Sequence, residues 1–332
     1  IACLESVTRT HFSETYFFGE ILDCRRPHLP TVPARDIAVN LETVHVVYAS
    51  DTRHFDGLLA SMVSLARHLT MPLRCTIHLI ISPDDMLRAE HLVECFRREL
   101  AELPASPIVM LHSLRPLPFN ASDLFYIRTE PRLTALHDFA KYYLHEYLPA
   151  APRALLLEPD TIITADVAPL YQMRMQHALA AVPRQRRISY YMQSLHAPYR
   201  HLLARLAVDP DSLSFNAGVL VYDLTRWRSA DSVIVRTLER LTKLFSGHEL
   251  TQLALNIVFH NAFDHLDWGW NVIGAGNENA LLPQRCADGA RILHFNGDCK
   301  PWSGVSLGPR GGRCFNAELY SRHAPRRGCD AA

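Results

Sequence analysis

Two short segments hold most of the residue types that could do chemistry. His294-Phe295-Asn296-Gly297-Asp298-Cys299-Lys300-Pro301-Trp302 places an imidazole, a glycine and a lysine on one turn. That set suits a metal-bound diphosphate: His294 can ligate a metal, Gly297 lets backbone approach a phosphate, and Lys300 supplies a point charge. Glu158-Pro159-Asp160 ends an apolar run. Its carboxylates stand two apart, so in an extended chain they leave the same face. Carboxylates placed together repel unless a cation lies between them. Mn2+ and Mg2+ prefer oxygen ligands and Mn2+ also accepts an imidazole, so Glu158, Asp160 and His294 form a candidate shell. A lone Glu-Pro-Asp would read as a solvated acidic turn. The apolar run before it and the His-x-x-Gly-x-x-Lys segment downstream favour the metal.

Other positions are more open. Phe215-Asn216-Ala217-Gly218 begins another apolar run, and Asn216 can donate and accept towards hydroxyl groups or simply cap the backbone. Gln252 falls on a helix beginning near Glu249, where an amide can orient a substrate without ionising, although a glutamine on a helix surface is commoner. Asp51 follows a strand-like run, where a carboxylate could accept from a base N–H. On spacing alone an ordinary turn residue is the plainer reading. Arg184, Arg186 and Arg187 cluster after the apolar run Ala178 to Val182. They suit an acidic donor or acceptor, and equally a solvated basic loop.

The elements that must position these residues follow from hydrophobic period. Val44 to Ala49 reads as a strand ending at Ser50-Asp51, and Leu58, Leu59, Met62, Leu65, Ala66 and Leu69 as one helical stripe. A strand from Thr76 to Ile81, a helix from Ser82-Pro83-Asp84-Asp85 to about Leu100, and a strand from Ile108 to Leu111 follow. This alternation is that of a parallel sheet with helices on both faces. After a polar loop over 113–131, a helix is expected from about Leu133 to Leu148. Ala154 to Leu157 then reads as a buried central strand. Ligands in open α/β sheets bind beyond the carboxyl ends of strands, which is where Glu158 and Asp160 fall. Residues 184–213 read as irregular. A strand from Ala217 to Tyr222, helices at about 231–245 and 249–260, and a last strand from Arg291 to Phe295 complete the series. Residues 1–43 lack a period and carry Pro27, Pro30 and Pro33, so they read as an arm ahead of one domain over 44–332.

Composition narrows the class. The chain has 332 residues, 48% apolar and 20% charged, as in an ordinary soluble globular protein. Lys+Arg and Asp+Glu both number 34, which gives no electrostatic reason to expect nucleic acid or a membrane surface. No run of about 18 apolar residues exists, so any membrane anchor would have to precede Ile1. A start at Ile1 rather than Met suggests a trimmed product. Eight cysteines include no Cys-x-x-Cys pair, so zinc is not indicated. An even count fits disulfides in an oxidising compartment, though free buried thiols are as plain a reading for Cys75 and Cys95. Asn120-Ala121-Ser122 has the form of a glycosylation acceptor.

With these residues in view, the chain resembles glycosyltransferase family 8, retaining enzymes that use nucleotide sugars, and in particular their galacturonosyltransferase-like and bacterial galactosyltransferase members. Three motifs carry the resemblance. Leu155-Leu156-Leu157-Glu158-Pro159-Asp160 is similar to a strand with an Asp-x-Asp metal motif. Phe215-Asn216-Ala217-Gly218-Val219-Leu220, with Leu224 and Trp227-Arg228, resembles the F-N-x-G-V block and its L-x-x-W. His294 to Trp302 resembles the H-x-x-G-x-x-K-P-W ending.

The resemblance implies a GT-A fold, Rossmann-like, with a nucleotide half over about 44–160 and an acceptor half over about 161–310. It implies that Ala49, Ser50 and Asp51 face uridine and that Glu158, Asp160 and His294 hold Mn2+, or Mg2+ in its place. It sets Gly297 and Lys300 at the diphosphate and Asn216 and Gln252 at the donor sugar. Ala140-Lys141-Tyr142-Tyr143-Leu144 matches a family A-R-x-x-L segment, with Lys141 in the arginine's place. The expected partners are a UDP-sugar and a carbohydrate acceptor, and the expected location is the Golgi lumen. A disulfide between Cys286 and Cys314 is also implied. Two departures stand out: Glu158 lengthens the first ligand by a methylene, and Lys141 exchanges a bidentate fork for one ammonium. A protein of this fold that binds UDP-sugars but has lost catalysis is the competing reading.

Overall fold

The apolar run after residue 43 forms β1 (Val44–Ser50), and its alternation decides which core each side chain joins. Val44, Val46 and Tyr48 face α1 (Phe55–His68) and α2 (Met86–Glu99), where Leu58, Met62, Leu92 and Phe96 complete one core. Val47 and Ala49 point the other way, into a core with Phe139, Tyr142, Trp227 and Leu253. Burial on both faces is why the run is almost wholly apolar, and each such large side chain contributes about 1.5–3 kcal/mol. The computed structural model describes residues 43–118, 136–189, 204, 207–244, 250–304, 306–308, 311–325 and 329. The arm up to residue 42 and the Asn120-Ala121-Ser122 triplet lie outside these.

β1 sits between β2 (Cys75–Ile81) and β4 (Arg153–Leu157), parallel to both, and β3 (Ile108–Ser113) runs parallel beyond β2. On the other side β7 (Leu213–Asp223) is antiparallel to β4. β6 (Leu179–Arg187) is antiparallel to β7, and β8 (Asp264–His265) is parallel to β6. The order is β3-β2-β1-β4-β7-β6-β8, a mostly parallel sheet flanked by helices, as expected. β5 (Thr161–Ile163) and β9 (Ile292–His294) form a second, antiparallel sheet.

That small sheet explains α1. Its pattern predicts one buried stripe, yet Gly57 to Ala66 are all buried. The extra coverage comes from β5: Ser64 Oγ accepts Ile163 N–H at 3.0 Å, and Ser61 Oγ lies 3.0 Å from Thr161 Oγ1. Thr161 Oγ1 in turn donates to Glu158 O at 2.8 Å. α1 therefore holds the backbone at Glu158.

Four expectations change. The helix expected over 133–148 is, within the described residues, a 3-10 segment Leu136–Tyr142 and one short α turn, Leu144–Tyr147. His137, Phe139, Ala140, Lys141 and Tyr142 are all buried there, which a single amphipathic stripe cannot do. Arg184, Arg186 and Arg187 lie in β6 rather than in a loop, and β7 begins at Leu213. The last strand joins β5, not the main sheet. The Cys286–Cys314 disulfide is replaced by Cys299–Cys314, because the Leu307↔Arg313 bridge folds Cys314 back to a Cα distance of 5.5 Å from Cys299. Cys286, itself disulfide-bonded, is packed in a third core beside Leu282 and Ala290. Cys95 pairs with Cys329, leaving buried Cys75 as a free thiol.

Candidate functional site

β4 ends at Leu157, but Glu158 N–H still donates to Gly218 O of β7 at 2.9 Å. Pro159 and Asp160 turn the chain into β5, and Asp160 O accepts Phe295 N–H at 2.8 Å. Thr161 then lies opposite His294. The three expected ligands meet at this corner. His294 Nε2 stands 3.1 Å from Glu158 Oε2 and 3.1 Å from Asp160 Oδ1. Neither contact has hydrogen-bond geometry, so Nε2 and Asp160 Oδ1 are buried without a hydrogen-bond partner. A buried polar atom left unpaired costs about 1–3 kcal/mol. Three ligand atoms within 4.8 Å of one another, two of them unpaired, fit a divalent cation.

Ammonium groups take the outer carboxylate oxygens. Lys141 Nζ donates to Glu158 Oε1 at 2.6 Å, and Lys300 Nζ to Asp160 Oδ2 at 2.6 Å. Two lysines offset two carboxylates, so a divalent ion would leave the centre with the ion's own charge, matched to a diphosphate. Burial raises the Glu158 carboxyl, but Lys141 and His294 outweigh it and bring it down to about 2. Burial acts likewise on Asp160, and Lys300 and His294 hold it well below the usual carboxylate range. Burial lowers His294, yet Asp160 and Glu158 raise it to about 9. Burial also opposes charge on Lys141, and Glu158 and Asp138 raise it nonetheless. Glu158 keeps 27% of its side chain exposed, so the centre is reachable from solvent.

Behind His294 runs a chain of buried amides. His294 Nδ1 lies 3.0 Å from Asn271 Oδ1, and Asn271 Nδ2 donates to Asn216 Oδ1 at 3.0 Å. Asn216 Nδ2 donates to Gln252 Oε1 at 3.1 Å. Two backbone groups of β7 enter the chain: Gly218 N–H donates to Asn216 Oδ1 and Ala217 N–H to Gln252 Oε1, each at 2.9 Å. Asn216 and Gln252 are thus brought together and linked to His294. Asn271 was missed by the sequence reading. Its local signal, an asparagine after Trp268-Gly269-Trp270, says nothing of His294. The link is tertiary, since Val272 bridges Leu293 and accepts His294 N–H at 2.9 Å.

Close approach explains two glycines. A Cβ on Gly218 would lie 2.1 Å from His294 Cε1 and 2.8 Å from Glu158 Oε2. Gly297 has φ +102°, and a Cβ there would lie 2.6 Å from Gly276 O, so packing requires this glycine whatever else approaches it. Lys300 also donates to Phe295 O at 2.8 Å.

Ala49, Ser50 and Asp51 lie at the end of β1, as expected. Asp51 acts there as a turn residue, capping Thr52–His54 by accepting Arg53 N–H at 3.1 Å. His137, on the segment that carries Lys141, stands 3.9 Å from Asp51 Oδ2. That segment bridges the end of β1 and the carboxylate pair. Arg187 donates to Asp211 O at 2.8 Å.

A mostly parallel α/β sheet with this centre beyond β4 has the GT-A fold of the solved glycosyltransferases it resembles. The family model for glycosyl transferase family 8 matches residues 45–305, and the chain belongs to that family. Glycosyltransferase 8 domain-containing protein 1 of Xenopus tropicalis is 30% identical over 195 residues, 52% of this chain and 52% of that protein. Probable galacturonosyltransferase 10 of Arabidopsis thaliana is 23% identical over 187 residues, 53% of this chain and 33% of that protein. The chain thus spans between a third and about half of the length of these relatives. The galactosyltransferase LgtC, solved with donor and acceptor sugar analogues, shares the fold with a TM-score of 0.55 at 15% identity, over 84% of this chain and 95% of that one. The bifunctional glycosyltransferase WbbM does so with a TM-score of 0.58 at 18% identity, over 85% of this chain and 52% of that one. No helix among the described residues is long and apolar enough to cross a membrane.

Proposed function

We propose that the chain is a retaining glycosyltransferase. It would move a hexose, hexuronic acid or pentose from a UDP-sugar to a carbohydrate acceptor, with Mn2+ or Mg2+ at Glu158, Asp160 and His294. The observation that carries this is the pair of unpartnered buried atoms, Asp160 Oδ1 and His294 Nε2, beside Glu158 Oε2 and flanked by two lysines. Bound there, the ion would supply Lewis-acid stabilisation of charge growing on the leaving diphosphate. Lys300 gives two N–H groups to Asp160 and Phe295 O, which leaves the third for a phosphate oxygen. Removing one such donor costs roughly 100–1,000-fold in rate.

Gln252 Oε1 already accepts two N–H groups, so it is not set to attack an anomeric carbon. This favours same-face displacement through an oxocarbenium-like state, with Asn216 and Gln252 orienting the donor sugar. Ala49, Ser50 and Asp51 would face the uridine, Gly297 the diphosphate, and Arg184, Arg186 and Arg187 an acidic acceptor. A Golgi location draws support from the Cys95–Cys329 and Cys299–Cys314 disulfides, since such bonds persist in oxidising compartments.

Lys141 seated on Glu158 favours the second reading, a UDP-sugar-binding protein without turnover. Calorimetry and product analysis with UDP-galacturonic acid, UDP-galactose, UDP-glucose and UDP-xylose, with and without Mn2+, separate the two. Metal-dependent transfer or hydrolysis of one donor supports the enzyme. UDP binding with no turnover supports the second reading, and absence of UDP binding sinks both.

A further inference from the structure

We infer that Asn271 is a positioning residue that holds His294 in the one tautomer able to ligate a metal, under the direction of two backbone N–H groups of β7. This rests on the metal reading of Glu158, Asp160 and His294. A backbone N–H can only donate. The Gln252 atom 2.9 Å from Ala217 N–H is therefore the amide oxygen, and the Asn216 atom that meets it is the NH2 group. Gly218 N–H demands the same orientation independently, because it requires the Asn216 oxygen on its side. Asn271 must then offer its NH2 to Asn216 Oδ1, which turns its own oxygen to His294 Nδ1. That oxygen carries no proton, so Nδ1 must. Once the ring is neutral, as a metal ligand must be, the lone pair is left on Nε2, the nitrogen that faces Glu158 and Asp160.

Every member of the chain is buried: Asn271 is 3% exposed, Gln252 6%, Asn216 8% and His294 0%, so solvent cannot easily stand in for a missing one. The same chain joins the two amides assigned to the donor sugar to a metal ligand. Asn271 thereby couples sugar and metal without touching either.

Two substitutions separate this role from packing. Asn271→Ala removes both of its bonds. Asn271→Asp keeps an acceptor on His294 Nδ1 but sets a second oxygen against Asn216 Oδ1. Mn2+ affinity is read by electron paramagnetic resonance of the free ion, without sugar, on protein whose urea midpoint shows it folded. Asn271→Ala is expected to weaken Mn2+ binding roughly 10–100-fold. Asn271→Asp should bind Mn2+ close to the native chain, with its defect appearing instead as a raised KM for the UDP-sugar. If Asn271→Ala does not fold, Asn271→Leu fills similar volume without an acceptor. Unchanged Mn2+ affinity in the variant lacking the acceptor, or equal losses in that variant and in Asn271→Asp, overturns the inference while the metal reading stands. A native chain that fails to bind Mn2+ overturns the metal reading itself.

Discussion

Past the end of β1, Asp51, His54 and His137 bring ligand-type atoms within 4.8 Å of one another; past the end of the neighbouring β4, Glu158, Asp160 and His294 do the same. Residue types and strand positions barely distinguish the two groups. Their hydrogen bonds do. Asp51 accepts Arg53 N–H, Arg53 Nε at 2.9 Å and His54 Nδ1 at 3.0 Å, so its oxygens are occupied. Burial would raise its carboxyl, but His54 and Arg53 hold it below the usual range. A cation would have to displace an arginine there. In the other group one oxygen of each carboxylate belongs to a lysine, while Asp160 Oδ1 and His294 Nε2 have no hydrogen-bond partner. An acid–imidazole cluster becomes a candidate metal centre through what its atoms lack.

The comparison breaks most directly at Asp160. Asp160→Ala removes a ligand and the partner of Lys300, and the loss of several kcal/mol of charge stabilisation should lower transfer by roughly a thousandfold or more. Initial rates at saturating Mn2+ and UDP-sugar would measure it, and turnover near the native rate would sink the metal assignment. Gly218→Ala tests the same corner by crowding. Its Cβ would meet His294 at 2.1 Å, and because His294 and Glu158 cannot both retreat, the variant should lose about 1–3 kcal/mol of stability and much of its Mn2+ affinity. Thermal unfolding and Mn2+ titration on one preparation would show both, whereas a native-like Mn2+ titration would argue against the corner as the ligand site.

Proton linkage sharpens the contrast. In metal-free protein His294 is raised to about 9 from 6.5, so its contribution to stability is full below about pH 6.5 and is lost as the pH rises through about 9. Glu158, lowered to about 2 from 4.5, contributes above 4.5 and loses that contribution as the pH falls through about 2. Mn2+ binding must expel the proton from His294 Nε2. Near neutral pH it should therefore release about one proton, and affinity should fall as the pH drops. Calorimetry in buffers of different ionisation enthalpy counts that proton, and heats independent of the buffer would contradict the raised value for His294.

How much of this was legible depends on whether the cause is local. β1, α1, β2, α2 and β3 follow from apolar period within a few residues of one another, and the sheet class follows from their alternation. Glu158, Asp160 and His294 were legible as a candidate shell because two carboxylates stand two apart at the end of an apolar run and a His-x-x-Gly-x-x-Lys segment adds an imidazole. The pairing of Lys141 with Glu158 spans 17 residues and that of Lys300 with Asp160 spans 140, and no period encodes either. Asn271 needs the Val272–Leu293 bridge before it means anything. Cys314 found Cys299 rather than Cys286 because a short turn brings it there, and a list of cysteines contains no turn. The three arginines looked like a loop since their charge conceals the extension of β6 along β7.

The smallest effect belongs to Asp51, and it bears on the comparison from the other side. Asp51→Ala removes the cap of the Thr52–His54 turn and should cost about 1 kcal/mol. If Asp51, His54 and His137 were a metal site, the substitution would also reduce the number of Mn2+ ions bound. Because Arg53 and His54 already occupy the carboxylate, Mn2+ titrated alone should bind with unchanged affinity and stoichiometry. UDP affinity gives a separate reading: a fall with Mn2+ binding intact would place the end of β1 at the nucleotide, whereas an unchanged value would leave Asp51 as a turn residue and nothing more.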